Sequence, residues 1–412
     1  MAHDVRDRQS VALGHNRPVP SPALGFSQLI APLTIDEFFA TYFEQRCLHL
    51  TGDDPARFAS VLDLDRIERL LWEQAGRLDE FVAVLQDGAR QMAPRAGAFK
   101  WAEDLFNSGA SLVLDDIGNY ELDFARFQQR VRQELGTIDL STNVYLTPAS
   151  RQTFPVHFDV HDTFVIHLHG TKRWRTYARV VELPMAHHSR KLDLAKLGPV
   201  VDEIDLAPGH ILYIPRGVPH WAVAAGEPSL HVTLGFYPMR YVDLLRNLLH
   251  VAADAHPELR AAVPRTLDVA ALTPMIQRLA TSNVGAAVDR WHEHAIARAP
   301  ALPDAGLIGT FAGAEPLAID DWVERCRGLQ THVSTPGDRA RIAFGGYLPF
   351  PNAPDPASMQ GPDVLRGVFE FVASSQAPFR VRDVPGELTD QAKVLVVGQL
   401  VGQGLLRRTA AP

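Results

Sequence analysis

Asn143-Val-Tyr-Leu-Thr147, Thr163-Phe-Val-Ile-His-Leu-His169, Arg173-Trp-Arg-Thr-Tyr177, Ile211-Leu-Tyr-Ile214, Trp221-Ala-Val-Ala224 and Leu230-His-Val-Thr-Leu-Gly-Phe236 crowd the middle of a 412-residue chain. Each run is short, β-branched or aromatic, and bounded by Pro or Gly, which suits strands on a pleated, half-buried surface. Leu206-Ala-Pro-Gly-His210 and Pro215-Arg-Gly-Val-Pro219 are the clearest turns between them, because Pro presets φ and Gly takes conformations other residues resist. Short strands with such punctuation predict a sandwich or jelly roll.

Outward from this block the pattern turns helical. Thr34 precedes Ile35-Asp-Glu-Phe-Phe39 as a capping box opening an amphipathic run. Asp63 stands as a cap before a helix over Leu64–Ala75, and strands are expected at Glu80–Leu85 and Ser111–Leu114. Beyond Tyr237, helices are expected over Tyr241–Ala255, Val269–Leu279 and Gly285–Ala299, with a proline-rich connection over Leu348–Gly361. Helical Pro362–Ser374, extended Phe379–Val384, helical Thr389–Gly402 and a short strand near Leu405–Arg408 read as a small winged-helix unit.

Composition narrows the function classes. Hydrophobic content of 46% and charged content of 21% belong to a soluble globular protein, and the length suggests two or three domains. No run approaches the roughly 18 apolar residues of a membrane helix. Met1–Pro22 lacks the apolar segment of a secretory signal, so a loose leader and a cytoplasmic location are expected. Cys47 and Cys326 are the only cysteines, which excludes a disulfide framework or a thiolate zinc site within the chain. A net charge of −8 argues against a general nucleic-acid binder. From Pro362 onward six Lys or Arg stand against five Asp or Glu, so the winged-helix unit is expected to pack or bind protein.

The chemistry centres on Pro155-Val-His157-Phe-Asp159 and Pro215-Arg-Gly-Val-Pro-His220. On a strand His157 and Asp159 would share a face, since side chains alternate with period two. Two imidazoles and a carboxylate on one face of an octahedron leave open positions, the arrangement of non-haem Fe(II) oxygenases. Alone, His-x-Asp reads equally well as a surface turn. Gly170 then permits a tight turn that brings Lys172 onto the neighbouring strand, where its amine could hold the far carboxylate of 2-oxoglutarate. In isolation Lys172 reads sooner as a solvated cation beside Arg173 and Arg175.

Asn143-Val-Tyr-Leu-Thr-Pro148, Val156-His-Phe-Asp159, Phe164-Val-Ile-His-Leu-His-Gly170, Lys172-Arg-Trp-Arg-Thr-Tyr177, Pro208–His220 and Ser229-Leu-His-Val-Thr-Leu234 together resemble the JmjC ribosomal oxygenases. The resemblance spans roughly residues 26–408 and is most specific between 143 and 236. It implies an α+β chain: N-terminal helices on a double-stranded β-helix (the jelly roll of JmjC and cupin proteins), a helical dimerisation domain, and a winged-helix-like C-terminal domain. The corresponding divisions are a leader at 1–25, the catalytic domain at 26–238, the dimerisation domain at 239–305 and the C-terminal domain at 306–412.

By the same resemblance His157, Asp159 and His220 hold Fe(II), and Lys172 binds the 2-oxoglutarate C5 carboxylate. Asn143 and Thr233 match polar positions around the cosubstrate. The implied reaction uses O2 and hydroxylates an Arg or His side chain of a protein or peptide, ribosomal proteins among them, by a homodimer. Two positions depart from the family pattern: His210 replaces the acidic residue after Pro-Gly, and His167 replaces a frequent Gln.

His161 and Thr163 share the inward parity of Asp159 and, with His167, are candidates for the substrate pocket. His292-Glu-His294 cannot pair on one helix face and reads as surface; His187-His188 reads as loop. Trp174, Trp221 and Tyr213 read as packing residues. Two other functions fit the same residues: a cupin metalloenzyme without 2-oxoglutarate, which would not need Lys172, and a non-catalytic dimeric scaffold, which would not need the triad.

Overall fold

The computed structural model describes residues 24–86, 88–136, 139–266, 269–297, 316–326, 329–345 and 357–412. The leader expected at 1–25, the boundary at 305/306 and the proline-rich stretch within 348–361 lie wholly or largely outside these residues. Among the described residues, eleven strands build the N-terminal two thirds: β1 (Leu48–Leu50), β2 (Val82–Gln86), β3 (Ala89–Met92), β4 (Ser111–Asp115), β5 (Asp139–Thr147), β6 (Asp162–His169), β7 (Lys172–Tyr177), β8 (Val200–Leu206), β9 (Ile211–Ile214), β10 (His220–Ala224) and β11 (Ser229–Tyr237). They form one eight-stranded sheet, ordered β1-β9-β6-β11-β5-β4-β2-β3, and one three-stranded sheet, ordered β10-β7-β8.

Period-two alternation gives the large sheet two different faces. Leu140 and Val144 on β5, Phe164 and Ile166 on β6, and Leu230, Val232, Leu234 and Phe236 on β11 point one way. There they join Phe26, Leu29 and Phe38 of the N-terminal helices and Phe124 and Val131 of a helix over Leu122–Leu135 in one core. Residues of opposite parity face the small sheet. Val165, Leu212 and Ile214 pack there against Trp174, Leu206 and Ala222. Helical packing thus occupies one face of the large sheet and leaves the other to chemistry.

The β6–β7 turn decides where Lys172 goes. Gly170 has φ +67°, and a Cβ there would lie 2.1 Å from the Pro228 carbonyl oxygen, so only glycine fits without displacing backbone. Through this turn the chain leaves the large sheet for the small one. Lys172 therefore stands on the facing sheet, not on the neighbouring strand expected from sequence. Along β7, Lys172, Trp174 and Thr176 are buried. Arg173 and Arg175 point outward to Asp205 and Glu203 of β8, at 2.7 and 2.6 Å. β8 was not anticipated: Asp202, Glu203 and Asp205 give it loop-like composition, and cross-strand ion pairs supply what local propensity lacks.

Thr34 caps its helix as expected, accepting from the Glu37 N–H at 3.2 Å while Glu37 accepts from the Thr34 N–H at 2.8 Å. Asp63 caps Leu64–Glu73. The strand expected from Glu80 begins only at Val82, after a helical turn over Leu78–Phe81. Helices over Tyr241–Ala255, Leu272–Ala280 and Val284–Ala297 follow the strands. Tyr241, Leu245, Leu249 and Ile276 on them are exposed.

In the C-terminal part, β12 (Trp322–Arg325), β13 (Thr331–Ser334), β14 (Arg339–Phe344), β15 (Ala357–Pro362), β16 (Phe379–Arg380) and β17 (Leu406–Thr409) make two further three-stranded sheets, β16-β12-β17 and β13-β14-β15. The helix expected from Pro362 starts at Arg366, because Pro362 still pairs with Arg339 across β15 and β14. Extended backbone expected over Phe379–Val384 is a strand only to Arg380. His294 is exposed as expected, but His292 is half-buried: its ring stacks on His332 at 4.4 Å, and His332 meets Asp289 at 2.8 Å, tying the Val284–Ala297 helix to β13. Among the described residues no helix is long and apolar enough to cross a membrane.

Candidate metal centre

Two backbone hydrogen bonds set the centre. The His157 N–H donates to the His220 carbonyl at 3.1 Å and the His220 N–H donates back at 2.8 Å, an isolated antiparallel bridge. His157 and Asp159 do not lie on a continuous strand as expected. Beyond His157 the chain leaves the ladder, and the Asp159 carbonyl instead accepts from the Gly217 N–H at 3.0 Å. Gly217 sits at φ +83°, and a Cβ would come 2.0 Å from the Val181 carbonyl oxygen.

The three side chains converge: one ligand atom from each of His157, Asp159 and His220 lies within 4.8 Å of the others. His157 Nε2 is 3.7 Å from Asp159 Oδ1, and His220 Nε2 is 3.5 Å from Asp159 Oδ2. Each imidazole is held from behind: Nδ1 of His157 meets the Pro155 carbonyl at 2.9 Å and Nδ1 of His220 meets the Val218 carbonyl at 3.0 Å. A proton on Nδ1 makes both bonds and leaves the Nε2 lone pair facing the carboxylate, the orientation that backing hydrogen bonds impose on metal-ligating histidines. The Thr163 hydroxyl donates to Asp159 Oδ2 at 2.8 Å.

Protonation suits a cation. Burial, then the neighbouring His157, pushes His220 down to about 4, so its ring is neutral at neutral pH. Burial pushes Asp159 up, but the imidazoles of His220, His157 and His161 and the Thr163 hydroxyl outweigh it and bring the carboxyl to about 2. A neutral His220 imidazole and an ionised Asp159 carboxylate are forms a metal can bind. This donor set fits a divalent iron held on one face, with no thiolate to close the site.

Across the gap between the sheets lies a second polar site. Lys172 is fully buried, and Nζ donates to the hydroxyls of Thr147 at 2.9 Å and Thr153 at 3.2 Å. Among the described residues no carboxylate pairs with it, and burial pushes the amine down to about 7. Such an amine is costly unless an anion joins it. Trp174 Nε1, His231 Nδ1 and His167 Nδ1 are also buried without a hydrogen-bond partner. His231 stacks on Tyr145 at 5.0 Å and meets Trp174 edge-on at 5.8 Å, and Trp174 in turn lies 6.0 Å from the His220 ring. The His231 and Trp174 rings therefore form a run from Tyr145 to the triad.

The remaining candidates divide between the two ends. Asn143 and Thr233 are cross-strand partners on the inward parity of β5 and β11. With its nitrogen toward the Asp115 carboxylate at 3.1 Å, the Asn143 amide turns its oxygen to the Tyr145 hydroxyl. His161 lies over Gly235 and stacks on Tyr237 at 5.0 Å. Thr163 binds Asp159 directly. His167 is fully buried at the lysine end, with Nε2 against the Gly170 carbonyl at 2.9 Å. Sequence reading passed over Tyr145, Thr147, Thr153 and His231. Parity with Asn143 and Thr233 would have found three of them, whereas Thr153 lies in an irregular segment and carries no local signal.

A family model described as JmjC domain matches residues 119–244. Ribosomal oxygenase 2 of Mus musculus is 28% identical over 269 residues, covering 62% of this chain and 57% of that protein. The bifunctional lysine-specific demethylase and histidyl-hydroxylase NO66 of Drosophila pseudoobscura pseudoobscura is 30% identical over 257 residues, covering 60% of this chain and 26% of that protein. The chain thus spans little more than half the length of the first relative and about a quarter of the second. The solved structure of the ribosomal oxygenase YcfD from Escherichia coli superposes with a TM-score of 0.55 at 18% identity, covering 92% of this chain and 99% of that one. A second structure of that protein, in complex with cobalt and 2-oxoglutarate, matches equally well. Residues 119–244 are thus similar to a JmjC domain, the chain resembles the ribosomal oxygenases in sequence, and its fold is that of YcfD.

Proposed function

We propose that the chain is an Fe(II)- and 2-oxoglutarate-dependent oxygenase that hydroxylates a side chain, Arg or His favoured, in a protein or peptide. The buried, carboxylate-free Lys172 carries this reading, because a sealed amine suits the far carboxylate of 2-oxoglutarate. A cupin enzyme without 2-oxoglutarate, or a scaffold, would gain nothing from burying it. YcfD with cobalt and 2-oxoglutarate, and the histidyl-hydroxylase named NO66, support the cosubstrate and the polypeptide target.

In this reading His157, Asp159 and His220 hold the iron, and Lys172 binds the C5 carboxylate with Thr147 and Thr153 beside it. Asn143 and Thr233 line the cosubstrate cavity, while His161 stands at the substrate side. Iron with 2-oxoglutarate and O2 supplies the oxidising power that turns a C–H into C–OH, with succinate and CO2 as co-products. The protein's part is to orient both reactants and keep the cavity dry, through Trp174, His231 and Tyr145. The two N-terminal sheets are read as a double-stranded β-helix. Residues 239–305 are read as a helical dimerisation domain, 306–412 as a winged-helix-like domain, and the location as cytoplasmic.

The test is incubation with Fe(II), ascorbate, 2-oxoglutarate and candidate ribosomal-protein peptides, followed by intact-mass measurement. One added oxygen and stoichiometric succinate are expected. Oxygen transfer to free amino acids as fast as to peptides would refute the polypeptide substrate, and turnover without 2-oxoglutarate would refute the cosubstrate.

A further inference from the structure

The three ligands come from two separate segments, 157–159 and the turn before His220, so the centre depends on what fixes one segment against the other. Beyond the backbone bridges, one buried side chain ties the second segment to Asp162, three residues past the first. Arg216 is 5% exposed and Asp162 is fully buried. The Arg216 guanidinium pairs with the Glu44 carboxylate, stands 3.9 Å from Asp162 Oδ2 and reaches the Pro184 carbonyl at 3.5 Å. Its own backbone N–H donates to Asp162 Oδ1 at 3.4 Å. The Tyr213 hydroxyl donates to the same Asp162 oxygen at 2.6 Å and accepts from the Glu44 N–H at 2.8 Å. Glu44 is held at φ +57°, a conformation disfavoured for a residue with a Cβ.

The placement of this cluster matters more than its strength. Asp162 follows Asp159 by three residues, and Arg216 precedes both Gly217, whose N–H holds the Asp159 carbonyl, and His220. A buried ion pair yields little stability over well-packed apolar side chains, so its value here lies in geometry. An apolar residue at 216 would fill space but would leave the backbone hydrogen bonds without the guanidinium's ties to Glu44 and Asp162 in fixing the His220 turn against the Asp159 segment.

We propose that Arg216, through Asp162 and Glu44, is a positioning residue for the metal centre, setting the separation between the Asp159 segment and His220. This rests on the metal reading above. The test titrates metal-free protein anaerobically with Co(II), reading affinity and the visible ligand-field bands, with no turnover involved. Arg216→Met is expected to weaken Co(II) binding about 10- to 100-fold, the range for residues that back metal ligands, and to change the bands. Leu400→Ala in the C-terminal core serves as a destabilised control, expected to lower the melting temperature and leave the bands unchanged.

If Arg216→Met does not fold, Glu44→Gln, which keeps the shape of a half-exposed side chain, carries the test with the same direction of loss. Unaltered Co(II) affinity and bands in whichever variant folds would overturn the proposal. Failure of the wild-type protein to bind Co(II) would instead overturn the metal reading itself.

Discussion

Replacing Lys172 by Met should move two measurements in opposite directions. The two side chains are similar in length, and the hydroxyls the amine leaves can satisfy each other, since Thr147 and Thr153 are 3.0 Å apart and Ser111 is 3.1 Å from Thr153. An amine brought from its usual 10.5 down to about 7 costs the folded protein about 5 kcal/mol wherever folded and unfolded chains are both protonated. That cost is present in full below pH 7. Between pH 7 and 10.5 the unfolded chain holds a proton that the folded one lacks, so wild-type stability climbs with pH. The Met variant carries no such cost and loses two hydrogen bonds worth about 1 kcal/mol each. Without ligand it should therefore be a few kcal/mol more stable than wild type at pH 6, with the gap closing toward pH 10. Its affinity for 2-oxoglutarate should fall by about 2–5 kcal/mol, the loss when one partner of a buried charge pair is truncated, or roughly 30-fold to several-thousand-fold. Chemical unfolding at pH 6, 8 and 10 and anaerobic titration of 2-oxoglutarate onto the Co(II) protein give both readings. Equal 2-oxoglutarate affinities, or a Met variant less stable at pH 6, would refute the anion site.

His157→Ala, Asp159→Ala and His220→Ala should each abolish metal-dependent succinate release and leave the circular dichroism spectrum unchanged; near-normal release by any one removes that residue from the ligand set. Gly170→Ala should destabilise the protein by about 2–4 kcal/mol, because it adds strain at a positive φ and a Cβ 2.1 Å from the Pro228 carbonyl oxygen; an unchanged melting temperature would mean the β6–β7 turn relaxes freely. Exposed Tyr241, Leu245, Leu249 and Ile276 on adjacent helices form an apolar face suited to self-association; light scattering should give a dimer at micromolar concentration, and a monomer there would refute that reading.

Sequence alone determined what local chemistry can encode. Alternating apolar runs between Pro and Gly marked β5, β6, β9, β10 and β11 to within a few residues. Thr34 and Asp63 marked helix starts through their own side-chain caps, and the helix over Tyr241–Ala255 followed from its apolar periodicity. The His-x-Asp and distant His could be proposed as one ligand set because residue type and spacing carry that signal.

Tertiary structure decided the rest. β8, with its run of acidic residues, is a strand through its ladder to β7, where Arg173 and Arg175 stand opposite Asp205 and Glu203. β12 pairs with β16 and β17, far along the chain, while β13 to β15 are short runs, some interrupted by charge, that pair with one another. Asp159 is presented by Gly217 and Thr163, not by a strand of its own. Lys172 differs from Arg173 and Arg175 in nothing the local sequence states, yet one is sealed beneath two threonines while the others sit in ion pairs at the surface. Parity about the Gly170 turn makes that choice, and which parity faces inward is fixed only when two sheets close on each other.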